Sequence, residues 1–332
     1  MRRSRPRNEV KRTAVVLCAS VALAVVSSAA RADEGGTSFW LPGQMGSFAA
    51  VPADPGWSLA TVYYHTSISA DADKVFPRSG RLVAGMDATA DLIFVVPSYA
   101  FTETVLGAQA AVSMTGAFGH MKVDVDATLT GPRGNELSGK QSDSLTGVGD
   151  LYPMGSLKWN RGVHNFMTYA MLGVPVGSYD VDRLANLGIN HWSADVGGGY
   201  TYLDAQAGRE FSAVLGFTHN FENDTTQYKS GVNGHLDWAA SQFLSEQTHV
   251  GLVGYFYHQL SGDSGAGATL GDFKSQVYGI GPQVGYFFPV GAQKWYVNFK
   301  GYYEFGASNR PEGWSAWLTM SIPLSPTPES SQ

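Results

Sequence analysis

Trp295-Tyr296-Val297-Asn298-Phe299-Lys300-Gly301-Tyr302-Tyr303-Glu304-Phe305 decides the fold. Successive side chains of an extended chain point to opposite faces. Trp295, Val297, Phe299, Gly301, Tyr303 and Phe305 share one face, and Tyr296, Asn298, Lys300, Tyr302 and Glu304 share the other. One face suits lipid and the other suits water. The same alternation returns downstream, where Trp314, Ala316, Leu318, Met320, Ile322 and Leu324 oppose Ser315, Trp317, Thr319 and Ser321. Upstream, Val232, Leu236, Trp238 and Ala240 oppose Asn233, His235, Asp237 and Ser241. Trp192, Ala194, Val196, Tyr200 and Tyr202 oppose His191, Ser193, Asp195 and Thr201. Leu151, Leu157 and Trp159 oppose Asp150, Tyr152, Ser156 and Lys158.

Extending this period-2 reading gives twelve strands: 57–69, 87–100, 104–118, 145–159, 163–178, 190–204, 209–221, 229–244, 248–260, 274–288, 294–306 and 313–324. Segments 57–69, 87–100 and 163–178 are ambiguous in facing. Connections after even-numbered strands are short, and most after odd-numbered strands (70–86, 119–144, 179–189, 261–273) are long. A bacterial membrane barrel has an even strand number and alternates short periplasmic turns with long external loops. The expectation is therefore all-β: a transmembrane antiparallel up-and-down barrel of about twelve strands. A secreted sandwich or soluble barrel is the rival. Lys122 to Thr130 alternates but lies in the longest connection, so it either extends a strand or folds over the mouth.

The N-terminus predicts export. Arg2, Arg3, Arg5, Arg7, Lys11 and Arg12 precede a mostly apolar run, Ala14 to Ala30, and Ala30-Arg31-Ala32 forms a cleavage pattern. This is a signal peptide, residues 1–32. The apolar run is short for a spanning helix. Cys18, the sole cysteine, lies in the leader behind Leu17, which is too large for a lipoprotein site. The chain has 22 basic and 28 acidic residues. Seven basic residues and one acid lie in the leader, leaving 15 and 27, a net charge of −12 for residues 33–332. That sign argues against nucleic acid, which rewards a basic face. With no cysteine left, stability must come from pairing and packing rather than disulfides. Glycine, at 40 of 332 residues, exceeds the usual ~7%, in keeping with a barrel wall.

Residues 33–56 are rich in Gly, Pro and Ala and include Phe39, Trp40, Leu41 and Phe48. So apolar a stretch is costly as a free tail; it either packs inside the barrel as a plug or is a disordered leader. Residues 57–324 form the barrel, and the polar, Pro-rich tail 325–332 is expected to be loose.

Three stretches carry a family resemblance: Gly36-Thr37-Ser38-Phe39-Trp40-Leu41-Pro42-Gly43, Gly147-Val148-Gly149-Asp150-Leu151, and Asn186-Leu187-Gly188-Ile189-Asn190-His191-Trp192. Together and in this order they resemble the outer-membrane proteins named for the meta-pathway of phenol degradation, a family similar to long-chain fatty-acid transporters. The resemblance implies an outer-membrane protein linked to uptake of aromatic compounds. One departure is the tail after Leu324, where many outer-membrane proteins end on an aromatic residue read by the assembly machinery.

No phosphate loop, zinc motif or nucleophile elbow is present, so no cofactor and no metal are expected. Asp91, Asp150, Lys158, His191, Asp195, His235, Asp237, Lys300 and Glu304 collect on the expected lumen face, with Tyr152, Tyr255, Tyr257, Tyr296, Tyr302 and Trp317 as aromatic contacts. They either shape a solute path or form the ordinary inward network that pairs charges in a barrel. His191, Asp195, His235 and Asp237, with Ser193 or Ser241, are the residues a hydrolase triad would use. Trp57, Trp159, Trp238, Trp295 and Trp314 fall near strand ends, where rings favour the membrane interface. Pro97, Pro153, Pro175 and Pro282 fall within expected strands, where proline removes a ladder bond. Pro153 and Pro175, on neighbouring strands, are the first choice for a wall kink or opening. The function expected is diffusive uptake of small hydrophobic or aromatic compounds across the bacterial outer membrane, in contact with outer-membrane lipid. The alternatives are a barrel enzyme acting on lipid or lipopolysaccharide, and a structural or adhesive barrel.

Overall fold

The computed structural model describes residues 38–325, apart from 79–80, 131–135, 269–273 and 292. The leader with its cleavage pattern, residues 33–37 and the tail beyond Ser325 lie outside the described residues. The strands are β1 (Gly56–Arg78), β2 (Arg81–Val105), β3 (Ala108–Thr130), β4 (Glu136–Arg161), β5 (His164–Gly173), β6 (Ser193–Asp204), β7 (Arg209–Asn220), β8 (Asn233–Phe243), β9 (Thr248–Gln259), β10 (Gln276–Val290), β11 (Gln293–Ser308) and β12 (Glu312–Pro323). Each pairs antiparallel with its neighbours, and β1 pairs with β12 from Ser58↔Pro323 to Ser69↔Glu312, closing the barrel. Closure leaves no strand edge to be satisfied by lipid, which has no hydrogen bonds to give.

Alternation sorts the side chains as expected. On β11, Asn298, Lys300, Tyr302 and Glu304 are each under 10% exposed, while Phe299, Tyr303 and Phe305 are at least 46% exposed. Ile93, Val95, Phe118, Phe217, Leu252, Phe256 and Leu318 continue the outward apolar band, the surface a bilayer requires. Both ends of the barrel chain, Gly56 and Pro323, lie at the short-turn end. Trp238 departs from its expected place. It sits mid-strand on β8, level with Gly254 of β9, where a Cβ would come within 2.5 Å of the indole.

The first four strands outrun their expected limits. They are 23 to 26 residues long, whereas ~9–11 residues cross a bilayer. Most of the expected loops 70–86 and 119–144 is strand, so Lys122 to Thr130 extends β3. Beyond the bilayer both faces of a strand meet water, and polar side chains such as Lys122, Asp124, Asp126 and Lys140 appear without breaking the backbone ladder. Lys122 pairs with Asp124 at 2.7 Å and Lys140 with Asp126 at 2.6 Å.

Candidate functional site

Residues 38–55 enter the lumen as an irregular strap. Its backbone polar groups need partners, and barrel side chains, most of them on the second half, supply them. Leu41 to Gln44 forms a turn, with Gln44 N–H donating to Leu41 O at 3.1 Å. Asp237 on β8 accepts the N–H of Gly43 at 2.9 Å and of Met45 at 3.0 Å. Lys300 on β11 donates to the carbonyls of Gly43, Gln44 and Met45, and Tyr302 O–H donates to Gly43 O at 3.2 Å. Two opposite charges thus grip one turn. Gly43 is required there: its φ is +84°, and a Cβ would stand 2.8 Å from the Tyr302 ring. Glu210 accepts from Ser47 Oγ at 2.8 Å and Phe48 N at 3.2 Å. Thr201 accepts from Ala50 N at 3.1 Å, and Lys158 donates to Val51 O at 3.1 Å.

The strap's rings are seated as well. Trp40 is fully buried, stacked on His235 with centroids 3.6 Å apart. Phe48 meets Phe243, His249, Phe287 and Tyr296 at 5.3–6.1 Å. Behind the strap, Asp195 accepts from Tyr169 at 2.7 Å and Thr218 at 2.6 Å and contacts His235 Nε2 at 2.9 Å. Tyr255 donates to Glu304 at 2.7 Å, and Arg310 lies over Tyr257 at 5.1 Å. Ser193 bonds Asn220, and Ser241 meets Ser47 and Gln283. His235 is engaged by Asp195 and covered by Trp40, so these residues are not arranged as a triad.

The strap's other side faces β1–β5 and β12 across a cavity of about 320 Å³. Leu92, Phe94 and Val96 of β2, Met154 of β4, Met171 of β5 and Trp317 of β12 form its wall. Phe39, Leu41 and Met45 of the strap form its floor. Phe39 packs against Tyr152, with centroids 5.5 Å apart. No Asp, Glu, Lys, Arg or His lines it among the described residues. A second, wider space of about 1040 Å³ opens at the short-turn end, bordered by Phe48, Pro52, Phe243, Phe287 and Tyr296.

The cavity abuts a seam in the wall. The β4–β5 ladder runs from Arg161↔His164 to Met154↔Met171, skips Pro153, and ends in a single bridge, Leu151↔Val174. Pro175 follows, and β4 continues to Glu136 beside the 174–192 loop instead of a strand. Pro97 and Pro282 each interrupt one ladder locally, between β2 and β3 and between β10 and β11. The loop is pinned at two levels. Asp150 accepts from Gly177 N at 2.7 Å and Ile189 N at 2.8 Å. Higher up, beyond the bilayer span, Asp143 accepts from Arg183 at 2.8 Å and from the N–H groups of Leu184 and Ala185 at 3.0 Å each. The guanidinium holds the Asp143 carboxyl down at about 2, with the two N–H groups adding to the effect. Leu184 and Ala185 pack into the tall hairpins against Met86, Ala88, Val123 and Val125.

Sequence reasoning and geometry part company at several positions. Asp91 does not face the lumen. It lies on the outer wall, accepting from Tyr63 at 2.6 Å and meeting His65 at 2.8 Å. Its neighbours Leu92 to Val96 are apolar on both faces, so alternation gave no direction there. It also sits 14 residues above the short-turn end of β2, past the span that lipid must cover, where a carboxylate is tolerated. Asp150 and His191 anchor the 174–192 loop; His191 Nδ1 lies 2.9 Å from Ile189 O. Asp237, Lys300, Tyr302, Tyr296, Lys158 and His235 contact the strap, and Asp195, Tyr255, Tyr257 and Glu304 stand behind it. Only Tyr152 and Trp317 of the expected lumen residues line the cavity, with Phe39 and Leu41 of the strap. Leu92, Phe94, Met154, Met171 and Leu187 were missed.

The family model described as putative MetA-pathway of phenol degradation matches residues 72–320. Among solved structures, an outer membrane channel from Pseudomonas putida F1 is similar in fold, with a TM-score of 0.65 at 16% identity, over 85% of this chain and 98% of that one. The β domain of the Bordetella autotransporter BrkA gives a TM-score of 0.44 at 9% identity, over 81% of this chain and 100% of its own. The translocator domain of NalP from Neisseria meningitidis gives 0.42 at 9%, over 83% and 91%. No curated protein matches the chain in sequence.

Proposed function

This chain belongs to the family of the putative MetA-pathway of phenol degradation, and on that premise we propose that it is an outer-membrane channel through which small hydrophobic or aromatic compounds diffuse. One observation carries the reading: an uncharged, apolar cavity lies inside a lumen whose other half is filled by polar contacts to the strap. An apolar solute gains about 25 cal/mol per Å² of surface removed from water, while a hydrated ion gains nothing from these walls and loses its shell. The cavity therefore sorts by polarity. The strap blocks the straight axial route, and the β4–β5 seam offers a route from the wall side, where the cavity is separated from lipid by a loop rather than a ladder. Passage in this reading is diffusive.

The test is uptake of radiolabelled toluene, phenol, benzoate, a long-chain fatty acid and a sugar by cells with and without the gene. Loss of uptake confined to an apolar class supports the channel; equal uptake across the panel rejects it. For the seam, Pro153→Val restores a donor to the β4–β5 ladder and is expected to slow apolar uptake without changing assembly. Wild-type uptake by that variant rejects the wall route.

A further inference from the structure

We propose that Arg310 anchors an anion site at the outer mouth of the lumen, shaped for the carboxylate of a ring-bearing solute. Arg310 does not line the apolar cavity, and the assignment goes beyond the channel reading without needing it.

The turn that carries Arg310 joins β11 to β12 at the end opposite Gly56 and Pro323. It is braced from three sides. Asn309, with φ +61°, donates from its side-chain amide to Lys274 O at 2.8 Å. Glu312 accepts from Ala307 N at 2.8 Å. Glu304 accepts from Gly313 N at 2.9 Å and from Tyr255 O–H at 2.7 Å. The two acids that brace the turn are therefore spent on backbone N–H groups and a tyrosine, and neither pairs with Arg310.

The guanidinium is held inward and left unused. Arg310 is 8% exposed, and its guanidinium carbon stands 5.1 Å from the ring centroid of Tyr257, a fully buried residue of β9. Among the described residues the guanidinium makes no ion pair and no hydrogen bond. Nε is sealed from solvent, but the two terminal nitrogens are not, so the open end of the fork is reachable. Taking a guanidinium out of water without an acceptor is costly, and a ring face offsets that only in part. An anion at the fork completes the arrangement.

The chemistry selects the anion. A planar guanidinium matches the two oxygens of a carboxylate. One cation balances a monoanion, whereas a phosphate dianion would keep one charge unpaired in a buried place, beside a turn already bound to the Glu304 carboxylate. The surroundings are aromatic. Tyr257 belongs to one packed cluster with Tyr255, Tyr302 and Trp317, and half-buried Tyr64 packs against it. A ring carried by the anion finds aromatic surface next to its charge, and a small ion uses none of it.

The test is calorimetric titration of the full-length protein in detergent, at low ionic strength, with benzoate, its neutral isostere benzamide, acetate and inorganic phosphate. The variants are Arg310→Met, which removes the charge, and Arg310→Lys, which keeps the charge but not the fork; heat-modifiable gel migration confirms that each barrel is folded. Arg310→Met is expected to weaken benzoate at least about tenfold and to leave benzamide within about twofold. Arg310→Lys is expected to fall between the two proteins. Acetate and phosphate are expected to bind the unaltered protein at least about tenfold more weakly than benzoate. Absence of benzoate binding to the unaltered protein, or benzoate binding that Arg310→Met leaves unchanged, overturns the site. Equal weakening of benzoate and benzamide overturns the role of charge. Acetate binding as tightly as benzoate overturns the ring, and phosphate binding more tightly than benzoate overturns the carboxylate. Toluene uptake by unaltered cells reports on the channel reading separately, so each can fail without the other.

Discussion

The two halves of the lumen are built on opposite principles. From β6 to β11 the inner face is polar, and its side chains are spent on holding residues 43–50. Around the cavity, on β1 to β5 and β12, the inner face is uncharged and mostly apolar, and it leaves about 320 Å³ open. The strap has a side for each: backbone groups turn to the polar half, while Phe39, Leu41 and Met45 turn to the other. The polar half supplies geometry, and the apolar half leaves open space. One peptide segment joins the two roles, so changes to it separate them.

The largest expected effect comes from removing the segment. Deletion of residues 33–52 should raise single-channel conductance at least about tenfold, because a twelve-strand lumen is wide enough for water once unfilled; unchanged conductance in an intact barrel means the strap does not obstruct. Phe39→Ala acts on the apolar side only. Truncating a buried Phe commonly costs about 3–5 kcal/mol, so Phe39, 4% exposed, should loosen residues 38–41 and abolish preference among apolar solutes. Retained selectivity would remove the strap from the cavity floor. Lys300→Met acts on the polar side. A hydrogen bond to a charged group contributes roughly 1.5–3 kcal/mol, and its loss should appear as faster amide exchange at Gly43 and Met45, whose turn Lys300 braces, with the barrel's melting little changed. Gly43→Ala meets two obstacles, a left-handed backbone that costs a non-glycine residue about 1–2 kcal/mol and the Tyr302 ring 2.8 Å from the added Cβ, and exchange should accelerate by at least about tenfold at the same amides.

The smallest effect belongs to the loop cap. The Asp143 carboxyl is held at about 2, below its ordinary ~3.9. Its contribution to docking Leu184 and Ala185 is therefore complete above the ordinary value and is lost as pH falls through about 2. The pair is partly exposed, with side chains 35% and 21% accessible, so the effect is under about 1 kcal/mol. Asp143→Asn should give the acid-loosened loop at neutral pH, visible as increased protease cleavage within 179–189. Equal cleavage of both proteins from pH 2 to 7 removes Asp143 as the pin.

How much of this was legible depends on which half is read. The polar half announces itself by alternation: Asn298, Lys300, Tyr302 and Glu304 oppose Phe299, Tyr303 and Phe305, and the structure keeps that division. The strand count and pairing order followed from the same pattern. The apolar half erases it. Leu92, Phe94 and Val96 face the cavity while Ile93 and Val95 face outward, so period 2 exists in space but not in hydropathy. Segments 57–69, 87–100 and 163–178 are ambiguous for that reason, and all three contribute wall to the cavity through Val62, Phe94 and Met171. The ambiguity was itself the mark of a chamber. The three family-like stretches also gain a physical account: Phe39, Gly149 and Leu187 line one space from three distant parts of the chain. What no sequence pattern reveals is the partner of each buried charge, since Asp237 and Lys300 look like solute contacts until the strap's backbone is placed between them.

The strap also fixes an order of events in time. Its bonds join residues far apart along the chain: Gly43 to Asp237 across 194 positions and to Lys300 across 257. Closing loops of that length is slow relative to pairing adjacent hairpins. The strap can therefore seat only once β8 and β11 have taken their places and offered Asp237 and Lys300. The β1–β12 pairing that closes the wall, Ser58 with Pro323, is a contact of the same long range. Sealing the wall and filling the lumen thus both wait on the far end of the chain.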